Sequence, residues 1–369
     1  MRRRRARFII IVQSILFAAH AFVYETWNAF SQAPDPPGIS RLAMVFALLS
    51  LSFVTASLLA FRYHHFLVRA LYWIASSWLG ILNYSVLGAI LCWILYGVGR
   101  IAGASWNWRE IAVALFAASV AVGAIGIVNA SWTRVTRIKV KLPNLPESWR
   151  GRLAALVSDT HFGPVRALGF SRHIVRMLNR ERPDVVFLAG DVYDGTAVDA
   201  KALAQPLKDI TAPLGSYYVT GNHDEFGGGA HYLEALSGAG VHVLDRKTVN
   251  VDGLQIVGVP YRDLATPDRF QAALEQAQFD NQRTSVLLAH APNRLWEAEK
   301  AGISLQLSGH THGGQFFPWT KIVSRIYGKF AYGLHKLGNM MVYTSCGAGT
   351  WGPPVRLGTN PEIVLIQFE

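Results

Sequence analysis

Charge is scarce in this chain. Only 16% of its 369 residues are Asp, Glu, Lys or Arg, against about a quarter in ordinary soluble domains. The deficit falls on the first 131 residues, which excludes a conventional water-facing surface there. Cysteine is almost absent. Cys92 lies in an apolar stretch and Cys346 in a late strand, so no disulfide framework is implied. Cys346 reads as a small buried residue rather than a nucleophile. There is no internal repeat and no low-complexity tract beyond an arginine-rich start. Gly227-Gly228-Gly229 is not followed by a helix opening with Lys-Ser/Thr, so it reads as loop flexibility and not as a phosphate cradle. The net charge of +11 suggests nucleic acid at first sight. No basic patch interleaved with aromatics accompanies it, so no nucleic-acid partner is expected.

Long apolar runs are what the first third has instead. Residues 8–30, 42–61, 70–98 and 111–130 each meet the roughly 20 residues a bilayer-crossing helix needs. Soluble helices of that length carry a polar face, and these do not. Isolated polar residues such as Gln13, His20 and Asn83 suit hydrogen bonds between helices. Trp27, Trp73, Trp78, Trp93, Trp106 and Trp108 suit an interfacial aromatic belt. Arg2, Arg3, Arg4, Arg5 and Arg7 precede the first run; Arg134, Arg137, Lys139 and Lys141 follow the last. Both clusters read as cytoplasmic anchors on anionic lipid. The 31–40 connection has no Lys or Arg and is expected outside; 62–69 is basic and expected inside. Arg100 and Arg109 flank the third connection and oppose the pattern mildly. The expectation is a multi-pass protein of the cell inner membrane with both termini cytoplasmic. Export through a twin-arginine signal is the competing reading. It is disfavoured because Ala6 and Arg7 intervene before Phe8, and no small-residue cleavage site follows. The domains read as a membrane domain over 1–131, a linker over 132–150, and a water-facing domain over 151–369. Within the linker, 134–142 alternates basic and apolar residues as an edge strand would.

The water-facing domain carries five polar segments in order. They are Ser158-Asp159-Thr160-His161, Gly190-Asp191-Val192-Tyr193-Asp194-Gly195, Gly221-Asn222-His223-Asp224, Ala289-His290-Ala291-Pro292 and Gly309-His310-Thr311-His312-Gly313-Gly314-Gln315. Apolar runs at 153–157, 185–188, 217–219, 286–288 and 303–307 precede them and read as buried strands. Loops beyond the carboxyl ends of such strands are where α/β folds place their chemistry. Carboxylate, amide and imidazole groups converging from five loops make a site for hard or borderline divalent metals. In an extended segment Asp159 and His161, two apart, point to one face, and His310 and His312 share that geometry.

In that order and spelling the segments resemble the calcineurin-like metallophosphoesterase superfamily over roughly residues 150–369. The strings 158–163, 188–195 and 308–315 are similar to its bacterial membrane-linked branch, which includes phosphodiesterases and a UDP-2,3-diacylglucosamine hydrolase. The resemblance implies a dinuclear metal centre. Asp159, His161 and His312 would join the bridging Asp191 around one ion; Asn222, His290 and His310 would join it around the other. His223 would be catalytic, stabilising phosphoryl oxygens or protonating the leaving group. Asp194 would orient it, its carboxylate on one ring nitrogen. Gly195 stands where phosphoprotein phosphatases carry arginine, which disfavours that activity. Manganese is the expected ion, with iron or zinc as alternatives. Asp224 reads as loop support, Asn293 as a loop cap, and Arg356 as either an anion contact or a structural ion pair. His231 is a weaker candidate substrate contact; the remaining histidines lack ligand spacing.

The fold class expected is α/β: a four-layer αββα metallophosphoesterase sandwich preceded by an all-α bundle of four transmembrane helices. The function expected is membrane-anchored hydrolysis of a phosphodiester or pyrophosphate, with a lipid such as UDP-2,3-diacylglucosamine as the sharpest candidate substrate. Segment 316–337, aromatic and basic, reads as a helix or loop packed on the domain, or as a rim meeting lipid. Two alternatives stay open: hydrolysis of soluble nucleotides or envelope phosphoesters, and a degenerate membrane scaffold or sensor.

Overall fold

A computed structural model describes residues 2–31, 40–226 and 229–369, with the side chains of 2–5 left aside. The proline-containing connection at 32–39, the Gly227-Gly228 pair and the side chains of the first arginines therefore lie outside the described residues. The chain forms two compact units, one of Met1–Asn129 with Gly352–Val355, the other of Ala130–Trp351 with Arg356–Glu369.

Four helices make the first unit: α1 (Arg2–Ser31), α2 (Arg41–Ala60), α3 (Phe66–Ile101) and α4 (Trp108–Ala130). All four contain stretches long and apolar enough to cross a membrane. Several of their few polar groups bond across helices, as a low-dielectric surrounding favours. Gln13 donates to the Ser50 carbonyl at 2.9 Å, Trp78 Nε1 to His20 Nε2 at 2.8 Å, and Trp93 Nε1 to Thr26 Oγ1 at 3.0 Å. Small residues let α3 and α4 approach closely. A Cβ at Gly88 would lie 2.5 Å from Ser119 Oγ, and one at Gly123 would lie 2.9 Å from Ile81.

The second unit holds two six-stranded sheets. One contains β1 (Arg134–Val140), β2 (Leu153–Val157), β3 (Val185–Ala189), β4 (Ser216–Val219) and β5 (His242–Val243). The other contains β6 (Lys247–Val251), β7 (Leu254–Val259), β8 (Ser285–Ala289), β9 (Leu305–Ser308), β10 (Gly333–Leu337) and β11 (Met340–Thr344). The last strand, β12 (Glu362–Phe368), returns to the first sheet, giving the orders β1-β12-β2-β3-β4-β5 and β10-β11-β9-β8-β7-β6. It runs parallel to the edge strand β1 and antiparallel to β2.

Strand alternation builds the layers. Ala154, Leu156, Val185 and Phe187 pack between the sheets against Ile256, Val286, Leu288 and Leu307. Their neighbours Ala155, Val157, Val186 and Leu188 face a separate core with Ile174, Leu178, Leu203 and Leu236, which lie on or beside α5 (Leu168–Glu181), α6 (Ala200–Ala204) and α7 (Ala230–Gly238). On the far side, Val257, Leu287 and Val342 pack with Phe270, Leu274 and Ala298, from α8 (Pro267–Ala277) and α9 (Leu295–Lys300). This is helix, sheet, sheet, helix, the α/β sandwich expected, with the helical region before it. Segment 316–337 divides into a short helix, α10 (Trp319–Tyr327), and the edge strand β10, which sequence periodicity did not separate.

Candidate metal centre

Parallel strands β2, β3, β4, β8 and β9 end on one side, and the five polar segments follow them directly. The loops after β2 and β3 run side by side. Asp159 N–H donates to the Gly190 carbonyl at 3.0 Å, His161 N–H to Asp191 O at 3.1 Å and Phe162 N–H to Val192 O at 2.8 Å. Asp159, His161, Asp191, His310 and His312 all take positive φ, between 46° and 70°. The extended backbone assumed for the Asp159/His161 and His310/His312 pairs is therefore absent. Left-handed turns aim these side chains instead, and the two histidines of the last segment part company.

Three donor groups result, each with its ligand atoms within 4.8 Å of one another: Asp159, His161 and His312 form the first, Asp191, His290 and His310 the second, and His161, Asp194 and His223 a third that shares a histidine with the first. In the first, His161 Nε2 faces His312 Nε2 at 3.1 Å, and Asp159 Oδ1 lies 3.5 Å from the latter. In the second, His290 Nδ1–H donates to the Ala189 carbonyl at 2.7 Å, which turns Nε2 toward Asp191 Oδ2 at 3.2 Å. That same Oδ2 is 3.8 Å from His161 Nε2, so one carboxylate oxygen stands between the first two groups. Asn222 Oδ1 joins the second group 3.0 Å from His310 Nδ1.

Electrostatics fit this donor set to cations. Burial pushes His161 and His312 below the ordinary histidine range, and it takes His310 down to about 3, leaving neutral imidazoles. Burial raises the Asp159 carboxyl. Burial opposes charge on Asp191 too, but attraction to His290 and its hydrogen bond hold that carboxyl below the usual range. Burial also works against charge on His290, and Asp191 overcomes it and raises the ring to about 10. Asp191 and His290 thus favour each other's charged forms, so the pocket around Asp191 is built to meet positive charge. His290 Nε2 is buried and faces the Asp191 carboxylate at 3.2 Å. The Nε2 atoms of His161, His290 and His312 gathered around the carboxylates of Asp159 and Asp191 are what a metal site contains.

His223 sits beside the first group, its ring 4.8 Å from that of His161 and perpendicular to it. Its Nδ1–H donates to the backbone carbonyl of Asp194 at 2.9 Å. The carboxylate contact expected of Asp194 is thus replaced by a main-chain one. The Asp194 carboxylate instead lies 3.6 Å from His161 Nδ1, where burial pushes its pKa up to about 7. Exposed Phe226 and Trp351 flank the His223 ring at 4.7 and 5.6 Å.

Asp224 supports its loop as expected, whereas Arg356, expected at an anion or in an ion pair, is held by main-chain carbonyls. Asp224 is buried and accepts from the backbone of Val192, Tyr193 and Gly221, tying the loops after β3 and β4 together. Arg356 is fully buried and donates to the carbonyls of His312, Cys346 and Gly349. This makes it a positioning residue for the loop of His312. Glu362, also buried, accepts from Thr136, Tyr343, Ser345 and the Cys346 amide. Cys346 is buried, and its thiol is raised by burial and by Glu362, as an inert residue requires. His231 is exposed on α7 with its ring against Tyr232 and belongs to none of these donor groups.

The description of calcineurin-like phosphoesterases fits residues 154–314 of the chain. A Danio rerio protein named as a transmembrane protein with metallophosphoesterase domain is 30% identical, over 99% of this chain and 90% of its own length. An Aquifex aeolicus metallophosphoesterase is 32% identical over 68% of this chain and 97% of its own. One from Campylobacter jejuni is 31% identical over 64% of this chain and 63% of its own.

Proposed function

The chain belongs to the calcineurin-like metallophosphoesterases and is a metal-dependent phosphoester hydrolase; from that premise we propose a membrane-anchored enzyme that cleaves a phosphodiester or pyrophosphate bond at a centre bridged by Asp191. The single observation that carries the bridging role is the position of Asp191 Oδ2, 3.2 Å from His290 and 3.8 Å from His161. Asp159, His161 and His312 would complete one site; Asn222, His290 and His310 the other. When bound, two divalent ions would neutralise the phosphoryl oxygens and activate a water for in-line attack. Carboxylate, amide and imidazole donors without thiolate suit manganese, with iron or zinc as alternatives.

His223 holds a proton at Nδ1 against the Asp194 carbonyl, which leaves Nε2 for the substrate. There it would stabilise a phosphoryl oxygen or hand a proton to the leaving group. Asp194 acts as its positioning residue through the main chain. The complete donor set argues against a degenerate scaffold.

A lipid phosphoester or pyrophosphate is the substrate class we favour, with UDP-2,3-diacylglucosamine as one candidate. Four helices able to cross a bilayer raise the local concentration of lipids over soluble esters. Soluble nucleotides are the second reading, favoured by Phe226 and Trp351, whose rings beside His223 could stack on a base. The purified full chain should hydrolyse a bis-aryl phosphodiester with manganese and lose that activity to a chelator. Asp191→Asn should lower turnover by more than about 100-fold, beyond what outer-sphere changes cost. Wild-type turnover in Asp191→Asn would remove the bridged centre. A panel of lipid pyrophosphates against soluble nucleotides at matched concentration separates the substrate classes.

A further inference from the structure

None of the nine residues of α10 is buried. Trp319, Ile322 and Ile326 are 49%, 43% and 67% exposed, and their spacing of three, four and seven places them on one face. Phe317, just before the helix, is exposed as well. Lys321 and Arg325 border that face, and Lys329 follows the helix. The sequence holds no Asp or Glu between Glu299 and Glu362, so this whole stretch carries charge of one sign. Among the described residues, none of the three cations pairs with a carboxylate.

The helix is held firmly in this pose. A Cβ at Gly314 would lie 2.5 Å from the backbone of Thr320, so the first turn rests directly on the loop that follows His312. On its other end the Tyr327 ring stands 6.5 Å from that of His310. The apolar face is therefore turned outward by the packing of its opposite side.

We propose that α10 is a lipid-contact element: its Trp319, Ile322 and Ile326 face enters the interface of an anionic bilayer while Lys321, Arg325 and Lys329 engage lipid phosphates. The charge pattern selects this occupant. An apolar strip edged only by cations matches the boundary between acyl chains and anionic headgroups. The same chain carries four helices long and apolar enough to cross a bilayer, which would keep a lipid surface close at hand. The proposal needs neither a lipid substrate nor an active centre, and its readout is independent of turnover.

The test uses the full chain in lipid nanodiscs, with an environment-sensitive fluorophore on Ile322→Cys. Gln271→Cys, exposed on α8, is the control. Cys92 and Cys346 are buried and should not label. In discs containing phosphatidylglycerol, the Ile322 label should shift to the blue and be quenched by lipids carrying a headgroup-level nitroxide. The Gln271 label should do neither. The combined changes Lys321→Glu, Arg325→Glu and Lys329→Glu should abolish the shift and the quenching, with thermal unfolding reporting an intact fold. Raised salt should weaken the signal without any charge substitution. An Ile322 label that behaves like the Gln271 label overturns the proposal. So does a blue shift without lipid quenching, which would mean that protein covers the face, whether a second copy or another partner.

Discussion

Asp159, His161, Asp191, His310 and His312 hold φ values that side-chain-bearing residues rarely adopt, at about 1–3 kcal/mol each. That strain persists because surrounding hydrogen bonds over-determine the turns, and Asp224 is central among them. Its two oxygens accept from three buried amides: Oδ1 from Tyr193, Oδ2 from Gly221 and Val192. An asparagine here has one acceptor oxygen and points an NH2 at the remaining amides, whichever way it is flipped. Leaving a buried donor unmatched costs about 1–3 kcal/mol. Asp224→Asn should therefore lower the melting temperature and weaken metal binding by about 10–100-fold, the usual effect of removing an outer support. Metal titration by calorimetry checks the second effect. Unchanged metal affinity in a destabilised variant would confine Asp224 to folding. The sequence reads Asp224 as loop support, but the three amides it ties together come to it only through the fold. The same holds for Arg356, whose three carbonyl partners are brought together only by the folded loop.

At the scale of elements, close approach of loops decides what the strand ends can do. A Cβ on Gly221 would lie 2.1 Å from Asp191 Oδ1 and 2.4 Å from the Asp191 amide. One of these is backbone, so the clash cannot be relieved by rotating a side chain. Gly221→Ala should push the loops after β3 and β4 apart, lower metal content and abolish most activity, with far-UV circular dichroism unchanged. Gly169→Ala, on α5 where an added methyl would meet no atom within 4 Å, should leave activity intact and stabilise by up to about 1 kcal/mol. Equal behaviour of the two variants would show that loop approach is not limiting. The strands themselves were legible as apolar runs, because burial on both faces demands them; 153–157 coincides with β2 residue for residue. The ligand order was legible because each segment follows its strand directly. Backbone conformation at the ligands was not, since Asp and His carry no local mark of a left-handed turn. Nor was the return of β12 to the first sheet, because pairing across more than two hundred residues with β1 leaves no periodic trace. β10 escaped because its short alternation, Gly333–Leu337, is interrupted by basic residues and abuts an aromatic helix.

Across the whole molecule, the distribution of positive charge argues for one orientation. Arg2, Arg3, Arg4, Arg5 and Arg7 open the chain, Arg62 and Arg69 bracket the α2–α3 connection, and Arg134, Arg137, Lys139 and Lys141 follow α4. With four crossings these three places share one side. The 32–39 connection, without Lys or Arg, would then be expected on the other. Positive residues near the ends of spans are retained in the cytoplasm, so both termini and the phosphoesterase domain should be cytoplasmic. Arg100 and Arg109 oppose this from the α3–α4 connection. Arg100, however, occupies the last turn of α3, where the negative end of the helix favours a cation on either side of a membrane. The bias of three basic places should outweigh this pair. Reporter fusions after residues 65 and 140 should be active as cytoplasmic reporters, and those after 35 and 105 as external ones. Substituting Arg62 and Arg69 by Glu should raise the fraction of external signal after residue 65, because the middle anchor is then lost while the outer two remain. An external reporter after residue 140 in the unaltered chain would overturn the orientation. It would also move the metal centre away from cytoplasmic nucleotides and nucleotide-linked lipids, leaving phosphoesters of the envelope as the accessible substrates.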